Sequence, residues 1–203
     1  MPQDGSAPQR GSSPGLPNDL RRRPAVPSAV IAVMMFVAAE AMFFAGLVSA
    51  FLVVKAGIKP GMWPPPWQPR LPVEVTAVNT GILVVSGVLM LLAGRVALKG
   101  RAANVPLYIA AMLLGVVFVG VQGWEWSQLL SQGLTMTSSN HGAFFYLIVG
   151  THALHVVAGL LAVTWGALRL RAGTLTTAQR AAIQIFWTFV VGLWPLLYTL
   201  VYL

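Results

Sequence analysis

Apolar positions follow one another in five long stretches, and polar positions collect in the short segments between them. The apolar runs show neither the strict alternation of a half-buried strand nor the narrow stripe of a helix lying on a water-soluble core. A bilayer core about 30 Å thick is crossed by about 20 apolar residues of α-helix. Five segments reach that length, near Ser28–Val54, Val73–Leu98, Val105–Leu130, His141–Leu168 and Ala178–Leu203. In lipid a helix satisfies its own backbone hydrogen bonds, so the pattern predicts an all-α integral membrane bundle of five transmembrane helices.

Residues 1–27 are of different character. Six prolines, several Gly and Ser and almost no large apolar side chain leave too little surface to bury, which predicts a disordered basic N-terminal arm ending near Arg21-Arg22-Arg23. The apolar run that follows is longer than a signal-peptide core and has no small-residue cleavage pattern behind it, so the first helix is expected to be retained. Residues 28–203 then form a single membrane domain.

Composition sharpens this reading. Of the 203 residues 57% are hydrophobic and 9% charged, against about 25% charged in an ordinary soluble domain. The absence of cysteine excludes disulfides, iron–sulfur clusters and thiolate metal sites. A net charge of +8 in a soluble protein would suggest nucleic acid; here the basic residues lie between apolar runs and mark loops, so no nucleic-acid partner is expected. With the N-terminus inside, that side collects Arg10, Arg21, Arg22, Arg23, Arg95, Lys99, Arg101, Arg169, Arg171 and Arg180, and the other side Lys55, Lys59 and Arg70. Ten against three, of the thirteen Lys and Arg, places the N-terminus in the cytoplasm and the C-terminus outside. The first outer loop contains Pro60, Pro64, Pro65, Pro66, Pro69 and Pro72, which make it a stiff connector. Its Trp63 and Trp67 are expected to act as interfacial anchors. No internal repeat of fixed period is present, which argues against a repeat-built transporter.

Ionisable or strongly polar groups at bilayer depth cost several kcal/mol unless paired or hydrated. Glu40 lies near the middle of the first apolar segment. It reads either as a protonated carboxyl hydrogen-bonded to a neighbouring helix or as a proton-handling, lipid-adjacent group. Glu125, in Gln122-Gly123-Trp124-Glu125-Trp126, lies toward the outer face, where a carboxyl reaches water and structural hydrogen bonding is the simpler reading. His152 and His155 are three apart and expected to share a helix face. Bis-histidine haem needs ligands on facing helices, yet His141, His152 and His155 all belong to one segment. A di-iron carboxylate bundle needs Glu-x-x-His motifs, and none occurs. The residues therefore predict no catalytic residue, metal site or redox centre in this chain.

Three stretches resemble the cytochrome oxidase subunit III family. Glu40-Ala41-Met42-Phe43-Phe44-Ala45 is similar to that family's intramembrane Glu followed by Met-Phe-Phe. Trp63-Pro64-Pro65, then Asn79-Thr80-Gly81-Ile82-Leu83 with Ser86-Gly87, resemble its outer loop and the next helix start. Gln122 with Glu125-Trp126, the run His141-Gly142-Ala143-Phe144-Phe145 and Gly150-Thr151-His152-Ala153-Leu154-His155-Val156 resemble the segment joining its last helices. The matches keep the family's order over roughly residues 36–203. The mitochondrial-type subunit has seven helices, the first two forming a V against the others; this chain resembles the short five-helix bacterial form. Where the family reads Trp-His-Phe-Val-Asp, this chain reads Trp187-Thr188-Phe189-Val190-Val191, so roles carried by that His and Asp do not transfer to Thr188 and Val191.

The resemblance implies a non-catalytic subunit III of a proton-pumping haem–copper terminal oxidase in a prokaryotic plasma membrane. It implies haem and copper in a partner rather than here, packing beside the large haem–copper oxidase subunit I and also subunit II, phospholipid held among the helices, and support of proton uptake and active-site durability. By likeness, Glu40 is the buried lipid-adjacent carboxyl, and Asn79, Glu125, His152 and His155 are structural polar contacts. Two other readings stay open. Thr188, Val191 and Pro195, in Trp194-Pro195-Leu196-Leu197-Tyr198, are similar to a subunit-III-like accessory protein of nitric oxide reductase systems, and Glu40 alone would suit an autonomous proton or solute transporter.

Overall fold

The computed structural model describes residues 27–59, 61–98 and 105–203. Within them the chain forms five helices and no strand: α1 Ser28–Ala56, α2 Val73–Leu98, α3 Val105–Ser131, α4 Asn140–Arg171 and α5 Thr177–Val201. All five are long and apolar enough to cross a membrane. The expected disordered arm, and the loop basic residues Lys99 and Arg101, lie outside the described residues.

Helix ends are set by local chemistry that apolarity alone does not mark. The Ser139 hydroxyl accepts from the Gly142 N–H at 3.0 Å and starts α4. Thr176 and Gln179 cap the start of α5 reciprocally, at 3.2 and 3.1 Å. Two residues past Ser131, the chain leaves α3 through a turn at Gly133, whose φ of 88° is left-handed. Leu134 N–H then reaches back to Leu129 O at 3.0 Å, and both leucine side chains are buried. α4 runs on to Arg171 rather than stopping near Leu168, because Arg169 and Arg171 suit the negative end of the helix and carry their charges outward. At Gly133 the substitution Gly133→Ala forces a Cβ into left-handed backbone. It is expected to cost about 1 kcal/mol, read as a lowered midpoint in thermal unfolding of the detergent-purified protein; an unchanged midpoint would refute the assigned turn.

α2, α3, α4 and α5 form a ring in which each packs on two neighbours, and α1 lies outside it against α5 and α4 only. Lipid tails are as apolar as leucine, so membrane helices associate through close packing and interhelical hydrogen bonds rather than through exclusion of water. Both are concentrated on Trp187 of α5, which is fully buried. A Cβ added to Gly115 of α3 or Gly159 of α4 would come within 2.8 and 2.9 Å of its ring. Its indole N–H donates to the Ser86 hydroxyl of α2 at 3.2 Å, and that hydroxyl donates to the Ala111 carbonyl of α3 at 2.6 Å. One side chain thus touches all four helices of the ring.

The same face of α5 continues this contact toward its C-terminus. Trp194 donates to the Thr80 hydroxyl at 2.9 Å and Tyr198 to the Val73 carbonyl at 3.1 Å. α2 and α5 are therefore joined at three levels by aromatic donors.

Candidate functional site

Glu40 and His155 meet. Glu40 sits near the middle of α1 and His155 near the middle of α4, and the Glu40 Oε2 to His155 Nε2 distance is 3.0 Å. The pair lies in the seam between α1 and the ring, with side chains 19% and 14% exposed. His155 Nδ1 lies 2.8 Å from the Thr151 carbonyl. A carbonyl only accepts, so Nδ1 carries a hydrogen and the other nitrogen faces the carboxyl. A good hydrogen bond at that contact then needs a single proton, held on the carboxyl as a neutral pair or on the imidazole as an ion pair. Phe44 stands edge-on to His155 at 5.4 Å and is itself buried. Outward of the pair, Met42, Phe43 and Leu154 are exposed.

His152 and His155 both stand edge-on to Phe44 of α1, at 6.4 and 5.4 Å, but only His155 reaches the Glu40 carboxyl. Positions three apart on a helix diverge by about 60°, which turns His152 further toward α5. His152 is buried and stacks on Trp194 of α5 at 4.9 Å. Neither of its ring nitrogens has a hydrogen-bond partner.

Glu125 is 1% exposed, packed between α2 and the end of α5 rather than open to water at the helix end. Its Oε2 accepts from Thr76 Oγ1 and from Gln122 Nε2, both at 2.9 Å, and Gln122 Nε2 is also 3.1 Å from the Tyr202 hydroxyl. Its other oxygen has no partner and the carboxyl borders a cavity of about 310 Å³ together with Arg70. Asn79 of α2 donates to the Phe118 carbonyl of α3 at 3.1 Å. Thr76, Gln122 and Tyr202 are not legible in the sequence as a unit; a threonine on α2, a glutamine on α3 and a tyrosine just past α5 carry no shared spacing.

The two loop tryptophans part company. Trp67 is 75% exposed. Trp63 instead turns into the mouth of the bundle, 5.6 Å from Phe51 and edge-on to His141 at 5.2 Å. Gln68 donates to Ser138 at 2.9 Å, which ties the α1–α2 loop to the α3–α4 loop.

Among the described residues no three His, Asp or Glu side chains come together in a group that could hold a metal ion. What the arrangement offers chemically is a carboxyl–imidazole contact at mid-helix depth, and a second, buried carboxyl that ties α2, α3 and the end of α5.

The sequence profile described as cytochrome c oxidase subunit III matches residues 24–203. The "Probable cytochrome c oxidase subunit 3" of Nocardia farcinica is 32% identical over 177 residues, covering 85% of this chain and 86% of its own. The "Cytochrome c oxidase subunit 3" of Corynebacterium diphtheriae is 32% identical over 205 residues, 98% of this chain and 95% of that one. The protein of the same name from the fungus Pyricularia grisea is 32% identical over 184 residues, 85% of this chain and 66% of the longer fungal one. With these matches in hand beside five membrane-crossing helices, the chain belongs to the cytochrome c oxidase subunit III family and is a multi-pass membrane subunit of a haem–copper oxidase complex of the respiratory chain.

Proposed function

We propose that this chain is the non-catalytic subunit III of a proton-pumping terminal oxidase in a prokaryotic plasma membrane, packed beside the large haem–copper subunit I and subunit II. Its N-terminus is cytoplasmic, following the loop charges. It sustains proton uptake and the durability of the oxygen-reducing site, and holds phospholipid against its helices. Haem and copper reside in the partner. The names of the relatives support cytochrome c as the donor and an oxidase rather than a nitric oxide reductase.

One observation carries the finer reading: the Glu40–His155 pair, midway along both helices and open toward the membrane side of the bundle. A carboxyl at that depth is retained at a cost of several kcal/mol. A structural hydrogen bond alone would be served as well by an uncharged amide. The pair can hold one proton or pass it on, and the exposed apolar side chains beside it suit an acyl chain.

The test starts from tagged chain extracted in mild detergent. Haem and copper are expected to arrive with a large histidine-rich partner, visible in a reduced-minus-oxidised spectrum and as oxygen uptake. A colourless chain that purifies alone would overturn the assignment. In that complex Glu40→Ala is expected to leave the initial rate of oxygen reduction within about twofold of wild type, a difference of less than 0.5 kcal/mol in barrier. Lipid retention or the number of turnovers before inactivation falls instead. Loss of haem from the variant complex would show that Glu40 is not a remote supporting group.

A further inference from the structure

At the end of the bundle that carries the α1–α2 and α3–α4 loops lies a cavity of about 280 Å³ whose walls include Lys55, Trp63, Arg70, His141, Tyr202 and Leu203. It is distinct from the mid-helix Glu40–His155 pair. Its lining contains no Asp or Glu side chain. Among the described residues neither Lys55 nor Arg70 forms an ion pair, since the single acid–base contact is that of Glu40. The lining thus carries two cations and no carboxylate side chain, Arg70 also bordering the neighbouring cavity of Glu125.

His141 supplies the second, independent sign. It is 2% exposed, lines this cavity, and has no hydrogen-bond partner at either ring nitrogen. A buried imidazole without partners is unfavourable by the cost of a lost hydrogen bond, which a ligand with acceptor oxygens would remove. Trp63, another wall of the cavity, stands edge-on to the ring at 5.2 Å.

We propose that this cavity binds a phosphate group. Lysine offers three N–H donors, arginine a planar fork and histidine a single N–H, and phosphate oxygens accept from all three with charge assistance. The volume is several times the roughly 30 Å³ share of one water and admits a tetrahedral anion. Two sources supply that chemistry, an anionic lipid headgroup and free phosphate. Leu52 and Val53, exposed on the last turns of α1 before Lys55, would carry an acyl chain away from the site.

The full chain, in the complex with which it purifies, is stripped of lipid and tested in separate arms. Phosphatidylglycerol and phosphatidylcholine retention are counted by native mass spectrometry, and inorganic phosphate by equilibrium dialysis. The double variant Lys55→Gln/Arg70→Gln is expected to bind phosphatidylglycerol or phosphate about 10- to 30-fold more weakly, as follows from losing two basic contacts. Lys55→Arg/Arg70→Lys keeps both charges, is expected to bind within a few-fold of wild type, and controls for folding. Loss in the phosphatidylglycerol arm alone identifies a headgroup site; loss in both it and the dialysis arm identifies a site for which free phosphate suffices. Equal binding by wild type and the glutamine variant in every arm overturns the proposal, as does equal loss in the charge-keeping variant. Binding is read on the chain itself, so failure here is separable from failure of the oxidase assignment, which the spectrum reports.

Discussion

Trp187→Ala is expected to lower the stability of the helix bundle by about 3–5 kcal/mol, the range for truncating a buried large aromatic side chain. The mechanism differs from that in a soluble core. Little water is excluded when these helices meet, so the loss is one of packing and of an interhelical hydrogen bond. Gly115 and Gly159 present bare backbone to the indole, and no side chain on either can move into the space alanine leaves. Ser86 keeps its bond to the Ala111 carbonyl but loses the indole donor. Trp187→Phe, which keeps most of the ring, is expected to cost about 1–2 kcal/mol, roughly one buried hydrogen bond. Adding Gly159→Ala to Trp187→Ala should cost less than Gly159→Ala alone, because the atoms it would strike are gone. Thermal or denaturant unfolding of the detergent-purified chain measures all four. A Trp187→Ala protein within 1 kcal/mol of wild type would mean the ring is held elsewhere.

The five helices are legible in the sequence because the bilayer imposes both length and apolarity. Each expected segment ends within three residues of its helix, and the discrepancies fall at caps such as Ser139 and Thr176 and at the basic end Arg169–Arg171. Which face of each helix turns inward is not legible. Lipid and protein interior are equally apolar, so Met42 and Phe43 look no different in sequence from Phe44 and Phe51, yet the first two are exposed and the last two buried. Inward faces are marked instead by small residues and by single polar groups, such as Gly115, Gly159, Ser86 and Thr80, which occur on lipid faces as well.

The same limit governs the sites. Glu40 stands out by itself, since a carboxyl amid apolar residues is costly, but its partner lies on a distant helix and no local spacing leads to it. His152 and His155 look alike in sequence and are separated by helical rotation into two environments, one beside Glu40 and one against Trp194. The phosphate cavity joins residues from the ends of four helices and a loop, and its one sequence trace is that Lys55 and Arg70 are basic on the side otherwise poor in basic residues.

Glu125→Ala is expected to cost about 3 kcal/mol, from two buried hydrogen bonds lost and one Gln122 amide hydrogen left without an acceptor. Thr76 and Gln122 both direct hydrogen-bonding groups at its Oε2, and Gln122 links onward to Tyr202 just beyond α5. Removing the carboxyl leaves one of the two Gln122 amide hydrogens without its acceptor and unbraces the Gln122–Tyr202 contact that holds the end of α5. Glu125→Gln keeps an acceptor at the Oε2 position and most of the volume, and is expected to cost about 1 kcal/mol. The two losses also differ in place. Trp187→Ala acts at the level of Ser86, whereas Glu125→Ala acts where α5 ends, so amide exchange should quicken at Val201 and Tyr202 before it does around Trp187. Equal destabilisation by alanine and glutamine would show that Glu125 serves as volume rather than as the acceptor. If the alanine variant instead loosened the middle of α5 first, the Gln122–Tyr202 link would not be what fastens that helix end.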